Sequence, residues 1–264
     1  MRYLGTFSAF SVLFIILACP ASAEDDPISQ AGIEEILTVL INDTSVRAYA
    51  IVELPGQRNV TVHEDHISLH LFGGQELLFN GVRSEITVDI PFEEHDTVIY
   101  QWEVMIPRGF QHDAPENRWW NMGQWHDQPD LTLGETWADF PGRSPSMSIH
   151  LKFYNGCFYF APRYMHVEPP FEDLIEIQPG QWMKLSFEIR WSQSTDGYIK
   201  IRINDEQDYR VCYTGPNMHN GFRHFLKVGM YRHPDIDTDN TVNIRNLQIY
   251  HAERQTSIRS ERTR

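Results

Sequence analysis

A chain of 264 residues that is 41% apolar, 22% charged and 12% aromatic has globular composition, which excludes a disordered, collagen-like or coiled-coil protein. Its 22 Lys and Arg against 36 Asp and Glu leave a net charge of −14, which argues against a duplex nucleic-acid binder, since that needs a basic face. The length suits one large domain or two small ones. No linker, internal repeat or low-complexity run divides it, so a single domain is expected.

Residues 1–23 read as a secretory leader. Arg2 supplies the positive start, residues 7–18 are apolar apart from Ser8 and Ser11, and Ala21-Ser22-Ala23 is a small-residue cleavage site. The apolar run is about 12 residues, short of the roughly 20 that cross a bilayer. A lipoprotein leader, with Ile16-Leu17-Ala18 before Cys19, is the alternative, disfavoured by the bulky Leu17 and the A-x-A that follows. Cleavage after Ala23 leaves residues 24–264 with a net charge of −15, in a secreted or periplasmic setting with no later membrane span. Cys157 and Cys212 then remain, either as a disulfide or as two free thiols. The sequons at Asn42 and Asn59 carry meaning only in a eukaryotic host.

Residues 24–45 form a helical lead-in. Asp26-Pro27 reads as an N-cap with Pro at the first helical position, and Ile33, Ile36, Leu37 and Leu40 recur at helical spacing. After Asn42 the period becomes two. Strands are expected over 97–107, 182–191, 198–203 (after the turn Thr195-Asp196-Gly197), 225–231 and 241–250. Many strands separated by turns, with no second long helical pattern, give an all-β sandwich or barrel of jelly-roll type. Residues 254–264 carry four arginines and no periodicity, and read as a frayed tail.

On a strand, residues i and i+2 face the same side. Arg83 and Glu85 therefore share a face, as a surface ion pair or as an Arg aimed at an anionic ligand by its carboxylate. Gln124 and His126 share a face while Trp125 points the other way. In 225–232, Leu226, Val228 and Met230 make an apolar face, and Lys227, Gly229 and Tyr231 the opposite one. Gly229 admits a close approach to the backbone. His150, Lys152 and Tyr154 share a face in 148–154. Each segment alone is also met by an ordinary amphipathic strand. Together they supply Arg, Gln, His, Lys and Tyr with one carboxylate, Glu85, whereas a glycosidase needs two. That set suits β-elimination on a uronic acid. Cationic and amide groups stabilise the charge that grows on the carboxylate as C5 loses its proton. A base takes that proton and an acid protonates the departing O4.

The ordered series Arg83-Ser84-Glu85, Gln124-Trp125-His126 and Lys227-Val228-Gly229-Met230-Tyr231-Arg232 resembles the jelly-roll polysaccharide lyases of the heparin lyase I and glucuronan lyase (polysaccharide lyase family 20) type. Alginate lyases of that fold carry a similar R-x-E, Q-x-H, K-x-G-x-Y series. The resemblance covers residues 81–250. It implies a concanavalin A-like β-jelly roll of two packed antiparallel sheets and chemistry without a cofactor. Arg83 and Gln124 would neutralise or orient the carboxylate. His126 would be the base, or a carboxylate partner if Tyr231 makes both proton transfers. Tyr231 would protonate the leaving oxygen, and Lys227 would bind substrate and bias Tyr231. Glu85, His150, Lys152 and Arg163 complete the substrate groove. Trp119 and Trp120 would either stack on sugars or pack in the core.

The strong negative charge, even screened over about 8–10 Å, favours a uronan with one carboxylate per sugar, glucuronan- or alginate-like, over a sulfated glycan. Asp235, Asp237 and Asp239 alternate as calcium ligands would, and the resembled lyases often hold a structural calcium. The loop lacks the Gly and distal Glu of an EF-hand, and a solvated acidic loop is the alternative. A monomer acting on an acidic polysaccharide is expected, with no nucleic-acid partner. The rival readings are a lectin-like jelly roll and a glycoside hydrolase.

Overall fold

The computed structural model describes residues 26–78, 81–165, 167 and 173–252. The leader with Cys19 and the tail 254–264 lie outside the described residues. Helix α1 (Gln30–Leu40) is capped by Ser29, whose hydroxyl accepts from Gly32 N at 3.1 Å. The helix thus starts later than Asp26-Pro27 suggests, because the Ser29 side chain reaches the free N–H groups of the first turn. A one-turn helix α2 (Thr44–Arg47), capped by Asp43, comes next and is too short to leave a periodic signal.

The strands are β1 (Ala50–Glu53), β2 (Val60–Val62), β3 (Ile67–Leu71), β4 (Val82–Val88), β5 (Thr97–Met105), β6 (Trp120–His126), β7 (Met147–Tyr154), β8 (Cys157–Tyr164), β9 (Ile175–Ile177), β10 (Met183–Arg190), β11 (Tyr198–Ile203), β12 (Arg210–Thr214), β13 (Phe225–Arg232) and β14 (Asn240–His251). One antiparallel sheet, the front sheet, runs β1-β4-β13-β6-β7-β8-β9, and the other, the back sheet, β12-β11-β10-β5-β14-β3-β2. The expected all-β jelly roll with a short N-terminal helix is what forms, and the five expected strands fall on β5, β10, β11, β13 and β14.

Alternation builds the core. Tyr100, Trp102 and Val104 of β5 and Leu185, Phe187 and Ile189 of β10 are buried, as are Trp125 of β6 and Leu226, Val228 and Met230 of β13. The Trp125 ring lies 5.9 Å from Trp102 and 5.0 Å from Phe187. Each such side chain contributes about 1.5–3 kcal/mol by leaving water. With these residues turned inward, the intervening polar residues of β4, β6 and β13 line the outer face of the front sheet.

Two bulges shape that face. The β6–β7 register passes from Asn121↔His150 to Gly123↔Ile149, and the β6–β13 register from Asn121↔Tyr231 to Gly123↔Val228. An extra residue in a strand reverses the facing of every residue after it. Asn121 therefore shares the face of Gln124 despite the odd spacing. Gly229 lies in the β13 bulge at φ +140°, where a Cβ would collide with the Ser84 carbonyl oxygen. The close approach expected at Gly229 is made by the backbone of β4.

Candidate active site

Register sets the polar residues out in rows. One row runs Arg83 (β4), Tyr231 (β13), Asn121 (β6), His150 (β7). A second runs Thr87, Lys227, Gln124, Ser148 and, on β8, Arg163. Glu53 on the edge strand β1 sits opposite Glu85. Arg83, Glu85, Gln124, Lys227 and His150 are buried, while Tyr231, Lys152 and Arg163 are half-buried. Except for His126, the expected site residues thus gather on one floor.

Charge on this floor is closely matched. Glu53 accepts from Arg83 Nη1 at 3.0 Å, from Thr87 Oγ1 at 2.8 Å and from Lys227 Nζ. Burial works against ionisation of Glu53, but Lys227 and Arg83 outweigh it and hold the carboxyl below its usual range. Glu85 faces Arg83 Nε at 3.3 Å and accepts from Gln124 Nε2 at 2.8 Å. Its complete burial pushes its pKa up, against the pull of Arg83 and Lys227. Burial lowers the Lys227 ammonium, partly offset by Glu53.

The Tyr231 ring is held by its neighbours. The Arg83 guanidinium carbon lies 4.1 Å from its centroid and the Trp119 ring 4.7 Å away. On a third side is Gly81, where a Cβ would strike the phenol ring. Trp119 is half-buried and borders the site, whereas Trp120 is buried in the core at 2% exposure. Across Asn121 from Tyr231 stands His150. The Nδ1 of His150 and the Oδ1 of Asn121 are buried without a hydrogen-bond partner. Burial, then the nearby Arg163 and Lys152 cations, push the His150 pKa down to about 3, so its imidazole is neutral.

His126 is placed differently. It pairs with Phe225 at the far end of β6, five residues from Asn121, or about 16 Å at strand rise. Its Nδ1 faces the Asp127 carbonyl oxygen at 2.9 Å and its Nε2 faces the Arg143 carbonyl oxygen at 3.0 Å. Both oxygens only accept, so both ring nitrogens of His126 are directed at backbone carbonyls of this connection rather than at the row of Tyr231 and His150. Lys152 follows His150 on the same face of β7, and its Nζ lies 3.4 Å from the Asn117 carbonyl oxygen.

Beside His126, the buried Asp127 carboxylate accepts from Arg143 Nε at 2.6 Å. Although burial opposes ionisation, hydrogen bonds from His126 and Arg143 hold its pKa down to about 2. The folded pKa lies below the unfolded one, so this stabilisation is full above about pH 5 and fades as pH falls toward 2. It amounts to about 2 kcal/mol. Asp127→Asn should lower the urea midpoint at pH 7, and the difference from the parent should shrink toward pH 2 in a pH series.

Two residues of the floor carry no signal in the sequence. Glu53 ends a four-residue strand without alternation, and its partners lie 30 or more positions away. Asn121 has the wrong parity until the bulge is known. Among the acidic trio, Asp239 accepts from Gly73 N at 2.8 Å, and Asp235 Oδ2 lies 4.0 Å from Arg118 Nη1. Asp237 and Asp239 lie in the field of the buried Arg232 guanidinium, which burial lowers to about 10 and their charge partly restores. Among the described residues no three His, Cys, Asp or Glu side chains gather as a metal site. Cys157 and Cys212 are both free thiols.

Among solved structures, an alginate lyase, Aly36B, superposes with a TM-score of 0.51 at 13% identity, over 76% of this chain and 86% of that one. An endo-β-1,4-glucuronan lyase from the fungus Trichoderma reesei gives 0.49 at 15% identity, over 76% and 86%. The catalytic domain of a glycoside hydrolase family 131 protein from Coprinopsis cinerea gives 0.49 at 7% identity, over 77% of each chain. No curated protein matches the sequence. The family model described as polysaccharide lyase matches residues 29–251, and the chain belongs to that polysaccharide lyase family.

Proposed function

We propose that this protein is an extracytoplasmic lyase that cleaves a uronic-acid polysaccharide, glucuronan- or alginate-like, by β-elimination. It is a monomer that needs no cofactor for the chemistry, of the glucuronan lyase (family 20) type within its family. The observation that carries this reading is the row of Arg83, Tyr231, Asn121 and His150 beside the row of Lys227, Gln124 and Arg163. A half-buried phenol and a neutral imidazole flank buried amides and cations. Their strands are two spacings apart, about 10 Å, with Asn121 on the strand between them.

In this arrangement the uronate carboxylate lies over Asn121 and Gln124, with Lys227 and Arg163 supplying positive charge where the enolate forms. Where the C5–H and C4–O4 bonds lie on opposite faces of the ring, as in a guluronate, His150 takes the C5 proton; in a gluco- or manno-configured uronate, where they share a face, Tyr231 serves both transfers. The C5–H electrons delocalise into the carboxylate and then form the C4=C5 double bond as C4–O4 breaks, and Tyr231 gives its proton to O4. The leader expected at residues 1–23 supports an extracytoplasmic setting, and among the described residues no helix is long and apolar enough to cross a membrane.

Glu53 and Glu85 form the carboxylate pair that a glycosidase would need. Their oxygens are turned to Arg83, Lys227, Thr87 and Gln124, and Glu85 is wholly buried, which favours elimination over hydrolysis. The test is incubation with a panel of uronans while near-ultraviolet absorbance and reducing ends are followed. Unsaturated ends are expected. Reducing ends without absorbance would mean hydrolysis, and binding with neither would mean a lectin.

A further inference from the structure

The β6–β7 connection, residues 127–146, carries a tryptophan that the catalytic rows leave unused. Trp137 is 59% exposed. Its ring stands edge-on to Phe140 at 5.6 Å and to Phe225 at 6.4 Å. Phe225 belongs to β13, its ring stacks parallel to His126, and the Lys227 ammonium lies 5.4 Å from its centroid. An aromatic path therefore leads from the second row of the floor up to an exposed indole. The connection that carries it is tied at both ends. Arg143 meets the buried Asp127 carboxylate, and His126 faces the carbonyl oxygens of residues 127 and 143. Between them, Asp130 N donates to Glu135 at 2.8 Å and Asp130 caps the turn at Thr132.

We infer that Trp137 is a sugar-stacking residue beside the polar floor, binding a pyranose of the substrate chain away from the reacting bond, and that His126 is a positioning residue for the connection that carries it. A pyranose presents axial C–H groups on a face that matches an exposed indole, while its hydroxyls stay in water. The position beside Phe225, whose ring neighbours Lys227, joins the indole to the second row of the floor, so the occupant is the same glycan chain. The inference rests on the lyase reading for its kinetic consequence and on binding alone for the rest.

The test uses the full chain with long alginate and glucuronan and with their trisaccharides. Trp137→Ala should raise KM for the polymer about tenfold while leaving kcat and trisaccharide turnover unchanged, and should weaken retardation in a gel cast with the polymer by a similar factor. Trp137→Phe should recover part of the loss. Parent-like KM and retardation in Trp137→Ala would overturn the inference. So would an equal effect of Leu131→Ser, which alters another exposed apolar residue of this connection. A parent chain that is retarded but yields no unsaturated ends removes the lyase reading and leaves the Trp137 comparison intact. A parent retarded by no uronan removes both.

Discussion

Tyr231→Phe should lose about 10³-fold of kcat, the scale of a removed general acid, while the polysaccharide still binds. The substitution deletes one oxygen from a ring whose position is set by other atoms. Trp119 lies 4.7 Å from it, the Arg83 guanidinium packs over it at 4.1 Å, and Gly81 leaves it room from below. Phenylalanine fills the same space and keeps the contact with Arg83, so the floor and its ion pairs persist. The initial rate of unsaturated ends at saturating polymer gives kcat, and retardation in a polymer gel gives binding. Turnover near the parent's would take Tyr231 out of the reaction. Loss of binding together with turnover would make the phenol a structural group.

The placing of Tyr231 illustrates how far period two reaches. Leu226, Val228 and Met230 are apolar and had to face inward, so Lys227 and Tyr231 had to face out. The same logic places Trp125 in the core and Gln124 outside it. Parity gives the face of a side chain and is silent about its place along the neighbouring strand. His126 and Tyr231 do share a face, yet the β6–β13 register puts them at opposite ends of it. Parity also fails across a bulge, which is why Asn121 leaves no mark in the sequence although motifs on both sides of it are legible. Glu53 is a register effect of another kind. It meets Arg83 and Lys227 only because β1 pairs with β4 and β4 with β13. The aspartates at 235, 237 and 239 are legible as an acidic loop. Their facing partner, the buried guanidinium of Arg232, depends on how β13 meets the strands around it.

The two histidines separate these levels in one experiment. His150→Ala should cut kcat about 10²-fold or more on a uronan whose C5–H and C4–O4 bonds lie on opposite faces of the ring. There a base and an acid must stand on the two sides, as His150 and Tyr231 do. In a gluco- or manno-configured uronate the two bonds lie on the same face, and Tyr231 alone can serve both transfers, so the loss should be small. His126→Ala should leave kcat within a few-fold on either substrate and raise KM for long polymer, because its ring braces residues 127–146. The pH profile adds an independent check. With its pKa near 3, His150 in the free enzyme is already neutral at pH 5, so kcat/KM should show no acid limb around 6.5, the range of an ordinary histidine. A His126 base would produce the reverse pattern: a collapse of kcat in His126→Ala and near-normal turnover in His150→Ala. That outcome would require the loop to release both nitrogens of His126 and the chain to carry the sugar about 16 Å along β6 from Tyr231's partner Asn121.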